Sequence, residues 1–264
     1  MADSADSVVI TGASSGIGRA LALHYAAPGM TLGLVGRNEA RLTDVAELCR
    51  RKGAAVTLGV IDVRDRDGLA RWLLDFDAQH PVGLLVANAG VSGGTHTDGS
   101  REDGALAAAQ IEINLLGVLN TVHPLLPLMM QRGRGQIALM SSIAAFVPLA
   151  DSAGYGASKA AVLYYGLALR EGIRVPGVKV NVICPGYVTS PMSARLKGWK
   201  PFEMPADRAA EKIALGLARN RAVIAFPWPL TLLSRIGGAL PSGVRRFATR
   251  PFGFTIAPPR GDRI

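Results

Sequence analysis

Residues 155–159 read Tyr155-Gly156-Ala157-Ser158-Lys159 and open a predicted helix over 155–171 that is rich in Ala and Gly. Positions i and i+4 share a helix face, so Tyr155 and Lys159 lie side by side. A phenol beside an ammonium is a proton-transfer pair. The positive charge favours phenolate and draws the tyrosine pKa down from about 10. Reaching about 7 takes roughly 4 kcal/mol at about 1.36 kcal/mol per unit, work that a bound cationic ring could share. An ordinary amphipathic surface helix would also bring the two together, so the surrounding chain must decide.

Upstream, the apolar run Val8-Val9-Ile10 is followed by Thr11-Gly12-Ala13-Ser14-Ser15-Gly16-Ile17-Gly18 and a helical pattern that breaks at Pro28-Gly29. That order is strand, glycine loop, helix. Gly12 allows a tight turn, Gly16 and Gly18 allow close approach, and the helix N-terminus then faces a pyrophosphate. The spacing G-x3-G-x-G matches the commoner G-x-G-x-x-G only in part. Further strands are expected at 31–36, 55–61, 82–86, 136–140, 178–183 and 222–226. Helices are expected at 38–52, 65–78, 105–122, 155–171 and 206–219. Strands that are continuous apolar runs alternating with helices argue an α/β fold, a single doubly wound parallel sheet of about seven strands with helices on both faces.

Composition agrees. The chain has 264 residues, 49% hydrophobic, with 31 Gly, enough for a sizeable α/β core. No repeat, low-complexity stretch or linker divides it, so one Rossmann-like domain over 1–264 is expected. Cys49 and Cys184 form no CxxC, and His24, His80, His96 and His123 stand singly. Neither a disulfide framework nor a metal site is expected, and a reducing cytoplasm is. Met1–Ser7 lacks the apolar core of a signal peptide. The uncharged run Ile113–Gln131 carries Asn114, Asn120, His123, Pro124 and Pro127. It reads as a buried helix, too polar and broken for a membrane span.

Taken together, the segments TGASSGIG (11–18), Asn88-Ala89-Gly90, Asn114, Ser142, YGASK (155–159) and Pro185-Gly186 resemble, in order, the classical short-chain dehydrogenase/reductase family. The likeness covers about residues 8–226, and Ser142 precedes Tyr155 by the family's thirteen residues. The resemblance implies that Tyr155 is the general acid for carbonyl reduction, or the base for alcohol oxidation. It implies that Lys159 depresses the Tyr155 pKa and holds the nicotinamide ribose. Ser142 would bond the substrate oxygen, and Asn114 would help hold a water of the proton relay. It implies that Gly12, Ser14, Ser15, Gly16, Ile17 and Gly18 carry the cofactor loop, and that Asn88, Ala89 and Gly90 line the cofactor's path. Asp62 and Val63 would lie near the adenine, and Pro185, Gly186 and Val188, with Ile183, near the nicotinamide. Thr189 would contact carboxamide or phosphate. Ala87 departs from the family, where many members have a second Asn. The family also implies a homodimer or homotetramer. The chemistry independently wants these parts, because hydride comes from the nicotinamide and the protein must supply a proton and stabilise an oxyanion.

Cofactor choice follows from charge. An NAD site wants an acidic residue at the end of the second strand. Here Gly36-Arg37-Asn38 offers none, and Arg37 is a fork of donors for a 2′-phosphate, so NADP(H) is expected. Two rivals are weaker. Gly12–Gly16 fits the G-x-S-x-G hydrolase elbow, but that order needs a late His and the last one is His123. A non-catalytic dinucleotide sensor on the same fold would not need Ser142, Tyr155 and Lys159 together.

The substrate pocket is expected beyond Pro185-Gly186, in 187–205, where Met192, Leu196, Trp199, Phe202 and Met204 mix with Arg195, Lys197 and Lys200. Such a lid suits a hydrophobic carbonyl compound or alcohol; an ordinary mobile loop would read the same. The net charge is +9, and the stretch 219–264 alone holds eight Arg and one Asp. This basic apolar extension, 227–264, carries no nucleic-acid motif, so nucleic acid is not an expected partner. Its Pro227, Pro229, Pro241 and Pro251 divide it into short pieces. Apolar residues with interspersed Arg fit an interfacial segment on an anionic membrane. They fit equally a tail packed over the substrate pocket or a partner subunit.

Overall fold

A computed structural model describes residues 6–249 and 253–257. The expected tail features at Arg250, Pro251, Phe252, Arg260, Asp262 and Arg263, and the N-terminal stretch 1–5, lie outside the described residues. In chain order the first half runs β1 (Ser7–Thr11), α1 (Gly16–Tyr25), β2 (Thr31–Gly36), α2 (Glu39–Arg51), β3 (Ala55–Val60), α3 (Arg66–Gln79) and β4 (Leu84–Ala87). Then come α4 (Gly104–Ile111), a π-helical turn (Glu112–Leu116), α5 (Gly117–Val122), α6 (Leu126–Arg132), β5 (Gly135–Met140) and a 3-10 turn (Ile143–Phe146). The remainder is α7 (Ala153–Gly172), β6 (Val178–Pro185), α8 (Pro191–Arg195), β7 (Leu196–Lys197), α9 (Ala206–Ala218), β8 (Val223–Phe226), α10 (Trp228–Ala239), α11 (Ser242–Thr249) and β9 (Thr255–Ile256).

Seven strands pair in parallel in the order β3-β2-β1-β4-β5-β6-β8. Adjacent residues of each strand point to opposite faces, and both faces are covered. Val8, Ile10, Leu84 and Val86 join Leu21, Leu42 and Ile213 of α1, α2 and α9 in one core. Val9, Leu85, Ile137 and Leu139 join Leu73, Val122, Met129 and Val162 of α3, α5, α6 and α7 in the other. Double coverage is why the strands read as unbroken apolar runs. The order reverses between β1 and β4, so the carboxyl ends of those two strands flank the crevice where open α/β sheets bind ligands.

The expected helix over 105–122 is interrupted by the π-helical turn. Residues Gly104–Arg132 are, by length and composition, apolar enough to cross a membrane. They instead fold as α4, the turn, α5 and α6, with Val118, Val122, Leu125 and Met129 buried against the sheet. The tail is divided as its prolines imply, into two short helices with Pro241 between them. Pro229 lies in the first turn of α10 and Pro227 directly precedes it, positions where a missing N–H costs nothing. Close packing places α7. A Cβ on Gly166 would come 2.5 Å from Val182 Cγ2 and 2.8 Å from Leu139 Cδ1. Gly166→Val should therefore lower unfolding free energy by about 1–3 kcal/mol in urea titration, with overpacking as the cause. An unchanged midpoint would show that α7 is free to shift.

Candidate active site

Glycine and threonine fix the first wall. Gly12 and Gly16 hold φ of 68° and 53°, a backbone that favours glycine. Thr11 Oγ1 accepts from the N–H groups of Asn88 (3.1 Å) and Ala89 (3.2 Å). Asn88 Nδ2 donates back to the carbonyls of Thr11 (2.9 Å) and Gly12 (3.2 Å). The ends of β1 and β4 are thus locked together with the N-terminus of α1 between them. Gly18 is buried, and a Cβ there would meet the Gly12 carbonyl at 2.2 Å. It seats α1 on the loop.

The second wall is the start of α7. Its Gly154 N–H donates to Glu102 Oε2 (2.8 Å), so a carboxylate caps the positive helix end. Ser152 Oγ donates to the Gly93 carbonyl. One residue deeper in the site ties helix to sheet twice. Lys159 Nζ donates to the Met140 carbonyl (2.9 Å), and the Lys159 carbonyl accepts from Ser141 Oγ (2.7 Å). Ser141 is thereby spent on the scaffold. Ser142 Oγ accepts from the Ala144 N–H (3.2 Å), donates weakly to the Pro185 carbonyl (3.4 Å) and is near enough to Tyr155 to act on its pKa.

The electrostatics differ from the simple phenol–ammonium picture. Burial pushes the Tyr155 pKa up, and the Ser142 hydrogen bond works against that rise. Burial pushes Lys159 down to about 8. Its Nζ stands 5.8 Å from the Tyr155 ring centroid and is turned to the Met140 carbonyl. Desolvation therefore outweighs the expected lowering of the phenol by Lys159.

Asn114 sits inside the π-helical turn, a local defect that often marks functional sites. Its amide bonds Val91 N–H (2.8 Å), the Val91 carbonyl (3.0 Å) and Ser158 Oγ (2.9 Å). With both Nδ2 hydrogens and Oδ1 engaged, the Asn114 side chain holds the β4 loop to α7 and does not line the cavity. Thr189 is exposed, and its N–H pairs with the Met204 carbonyl (2.9 Å).

These walls enclose a cavity of about 1330 Å³. Single small-molecule pockets run to roughly 300–1,000 Å³, so two molecules can lie end to end here. Gly12, Ser14, Ser15, Gly16, Ile17, Arg37, Asp62, Val63, Asn88, Ala89, Gly90, Ser142, Tyr155, Lys159, Pro185, Gly186 and Val188 all line it. Ile183 is buried in the sheet behind. At the end near β2, Arg37 pairs with Asp62 at 3.4 Å, and Arg64 holds the same carboxylate at 2.8 Å. Burial works against the Asp62 carboxylate, but hydrogen bonds and charge from Arg64, with the charge of Arg37, keep it below the usual range. The carboxylate absent from β2 is thus supplied by the loop after β3. Arg41, in the first turn of α2, lines the same end. The far end is built by the tail, through Leu230, Leu233, Leu240, Phe247, Phe254 and Ile256.

The loop, the first turn of α1 and the arginine end fit a dinucleotide. Ser15, Gly16 and Ile17 precede the first α1 backbone bond, Arg19 N–H to the Ser15 carbonyl, which leaves their N–H groups for phosphate oxygens. Several contributors escaped sequence reading. Glu102 and Gln110 work from a distant loop and helix, with no local signal.

A family model described as short chain dehydrogenase matches residues 6–201. An uncharacterized oxidoreductase of Myxococcus xanthus is 35% identical over 243 residues, covering 92% of this chain and 95% of that protein. A short-chain dehydrogenase from Sphingobium yanoikuyae in complex with NADPH superposes with a TM-score of 0.74 at 25% identity, covering 89% of this chain and 96% of its own. One from Mycobacterium paratuberculosis bound to NAD gives 0.72 at 25%, covering 83% and 94%.

Lys159 yields a prediction with a definite sign. Its pKa in the folded protein, about 8, lies below the ordinary 10.5. Between those values the unfolded chain binds the extra proton, so this group's contribution to stability rises with pH. Relative to Lys159→Met, the native protein should gain unfolding free energy from pH 8 to 10.5 in parallel urea titrations. A flat or falling difference would contradict the buried, easily neutralised lysine.

Proposed function

The chain belongs to the short-chain dehydrogenase/reductase family, and from that premise we propose that it is an NADP(H)-dependent oxidoreductase. It reduces a carbonyl, or oxidises the matching secondary alcohol, on a hydrophobic small molecule. The observation that carries this reading is Tyr155, against Ser142 and over Lys159, in the same cavity as the Gly12–Gly16 loop. The dinucleotide supplies or accepts the hydride when bound; the protein's own groups handle the proton. A phenol kept protonated by burial is a competent donor to a carbonyl oxygen, and Ser142 is placed to bond that oxygen as its charge grows. Lys159 would hold ribose hydroxyls and ease ionisation of Tyr155 once its ammonium faces the cavity. Asn114 serves by fixing the loop over which the cofactor lies. A sensor without turnover would have no use for Ser142 beside the phenol.

Arg37 and Arg41 favour NADPH over NADH, since both line the cavity where a 2′-phosphate would sit beyond Gly36. Asp62 already engages Arg37 and tempers the preference. The whole chain is taken to act as one catalytic unit, with 227–264 as an extension that closes the substrate end. Exposed Tyr164 and partly exposed Leu116 on neighbouring helical segments support assembly as a homodimer or homotetramer. Two free, buried cysteines suit a reducing cytoplasm.

Two measurements test the reading. Tyr155→Phe should lower turnover of a screened ketone by about 100-fold or more, while fluorescence titration shows NADPH still bound. Near-normal turnover would overturn the assignment. Arg37→Ala should weaken NADPH about tenfold, near 1.4 kcal/mol, and leave NADH nearly unchanged. Equal affinity of the unmutated protein for both cofactors would refute the NADP(H) preference.

A further inference from the structure

The tail has two faces. The inner one packs on the body. Leu230 and Ser234 are buried, and a Cβ on Gly238 would meet the Phe146 carbonyl at 2.0 Å. The outer one is apolar and exposed. On α10, Trp228, Leu232 and Ile236 recur every four residues at 74%, 51% and 52% exposure. That spacing makes one stripe. On α11, Val244 and Phe247 are exposed too, at 54% and 80%. Arg235 lies beside the stripe, stacked 4.7 Å over the Phe146 ring, and Arg245 and Arg246 follow on α11. No Asp or Glu occurs in 227–249.

We propose that this outer face of α10 and α11 docks on an anionic membrane surface, with Trp228, Leu232, Ile236, Val244 and Phe247 in the interfacial layer and the arginines on lipid phosphates. Apolar side chains including exposed aromatics, flanked only by cations, are the composition of an interfacial segment. A helix of 12 residues is about 18 Å long, short of the roughly 30 Å hydrocarbon core, so α10 lies on the membrane and does not cross it. A second copy is the poorer occupant. A two-fold contact through this face would set arginines against their own copies, with no carboxylate in the segment to pair with them. Docking has a consequence for the cavity. Ile236, Leu240, Arg246 and Phe247 belong to the docking segment and line the cavity too, so its tail-built end would face the bilayer. A substrate dissolved in lipid could then enter without crossing water.

The test is flotation of the full chain with vesicles of equal parts phosphatidylglycerol and phosphatidylcholine, against pure phosphatidylcholine. Binding should require the anionic lipid and fall between about 0.1 M and about 1 M salt, where the screening length drops from about 10 Å to about 3 Å. The variant carrying Trp228→Ser, Leu232→Ser and Val244→Ser should lose at least about tenfold in partitioning, with its circular dichroism and NADPH binding unchanged. None of these three lines the cavity. Absence of flotation by the unmutated protein at low salt would overturn the proposal, as would equal binding to neutral vesicles. A patch that drives self-association in place of vesicle binding, seen as a concentration-dependent mass that the triple variant abolishes, would also overturn it.

Discussion

One lysine holds the chemistry to the scaffold. Lys159 donates from Nζ to the carbonyl of Met140 and accepts a hydrogen bond from the Ser141 hydroxyl on its own carbonyl. Both partners sit at the carboxyl end of β5, so helix and strand cannot slide past one another without breaking both bonds. The next residue along, Ser142, is thereby set against Tyr155, one helical turn before Lys159. A buried ammonium is costly, and burial pushes its pKa down to about 8. The phenol and the ammonium do not simply share a charge; both are desolvated. Burial favours the neutral form of each, which keeps Tyr155 a proton donor.

From that clamp the rest of the cavity follows in two directions. Toward the β1–β4 switch, the Thr11–Asn88 exchange of hydrogen bonds holds the glycine loop open beside the N-terminus of α1. Two cations, Arg37 and Arg41, stand at its end. In the other direction the tail crosses the 3-10 turn after Ser142, and its last described residues return to pair with β7 and to donate from Phe254 N–H to Asp151. The tail is therefore wall on one side and surface on the other. Packing over the pocket and an exposed basic apolar face are both features of the same helices.

Much of this was legible in the chain. Apolar runs separated by helical periods report a doubly covered parallel sheet, because residues of its central strands meet a core on either side. The glycine loop and the i, i+4 pair of Tyr155 and Lys159 are local, so spacing exposes them. What spacing cannot show is burial and long-range partnership. The sign of the Tyr155 shift depends on desolvation by residues far apart in sequence. Asn114 looks like a site residue, yet its amide is consumed by Val91 and Ser158, 23 and 44 residues away. Asp62 restores to the arginine end a carboxylate that β2 lacks, through a fold-level contact. The role of the tail was open because its prolines, which break a helix interior, equally well begin one.

The central claim is that one continuous cavity carries a dinucleotide from the Arg37–Arg41 end to Tyr155 and leaves the tail-built end for substrate. A crystal structure of the protein grown with NADPH tests it most directly. The account predicts the pyrophosphate on the N-terminus of α1, the 2′-phosphate against Arg37 and Arg41, and the nicotinamide between Gly186 and Tyr155. It also predicts Lys159 Nζ within hydrogen-bond reach of the adjoining ribose. A dinucleotide bound elsewhere, or one whose nicotinamide lies away from Tyr155, would contradict it.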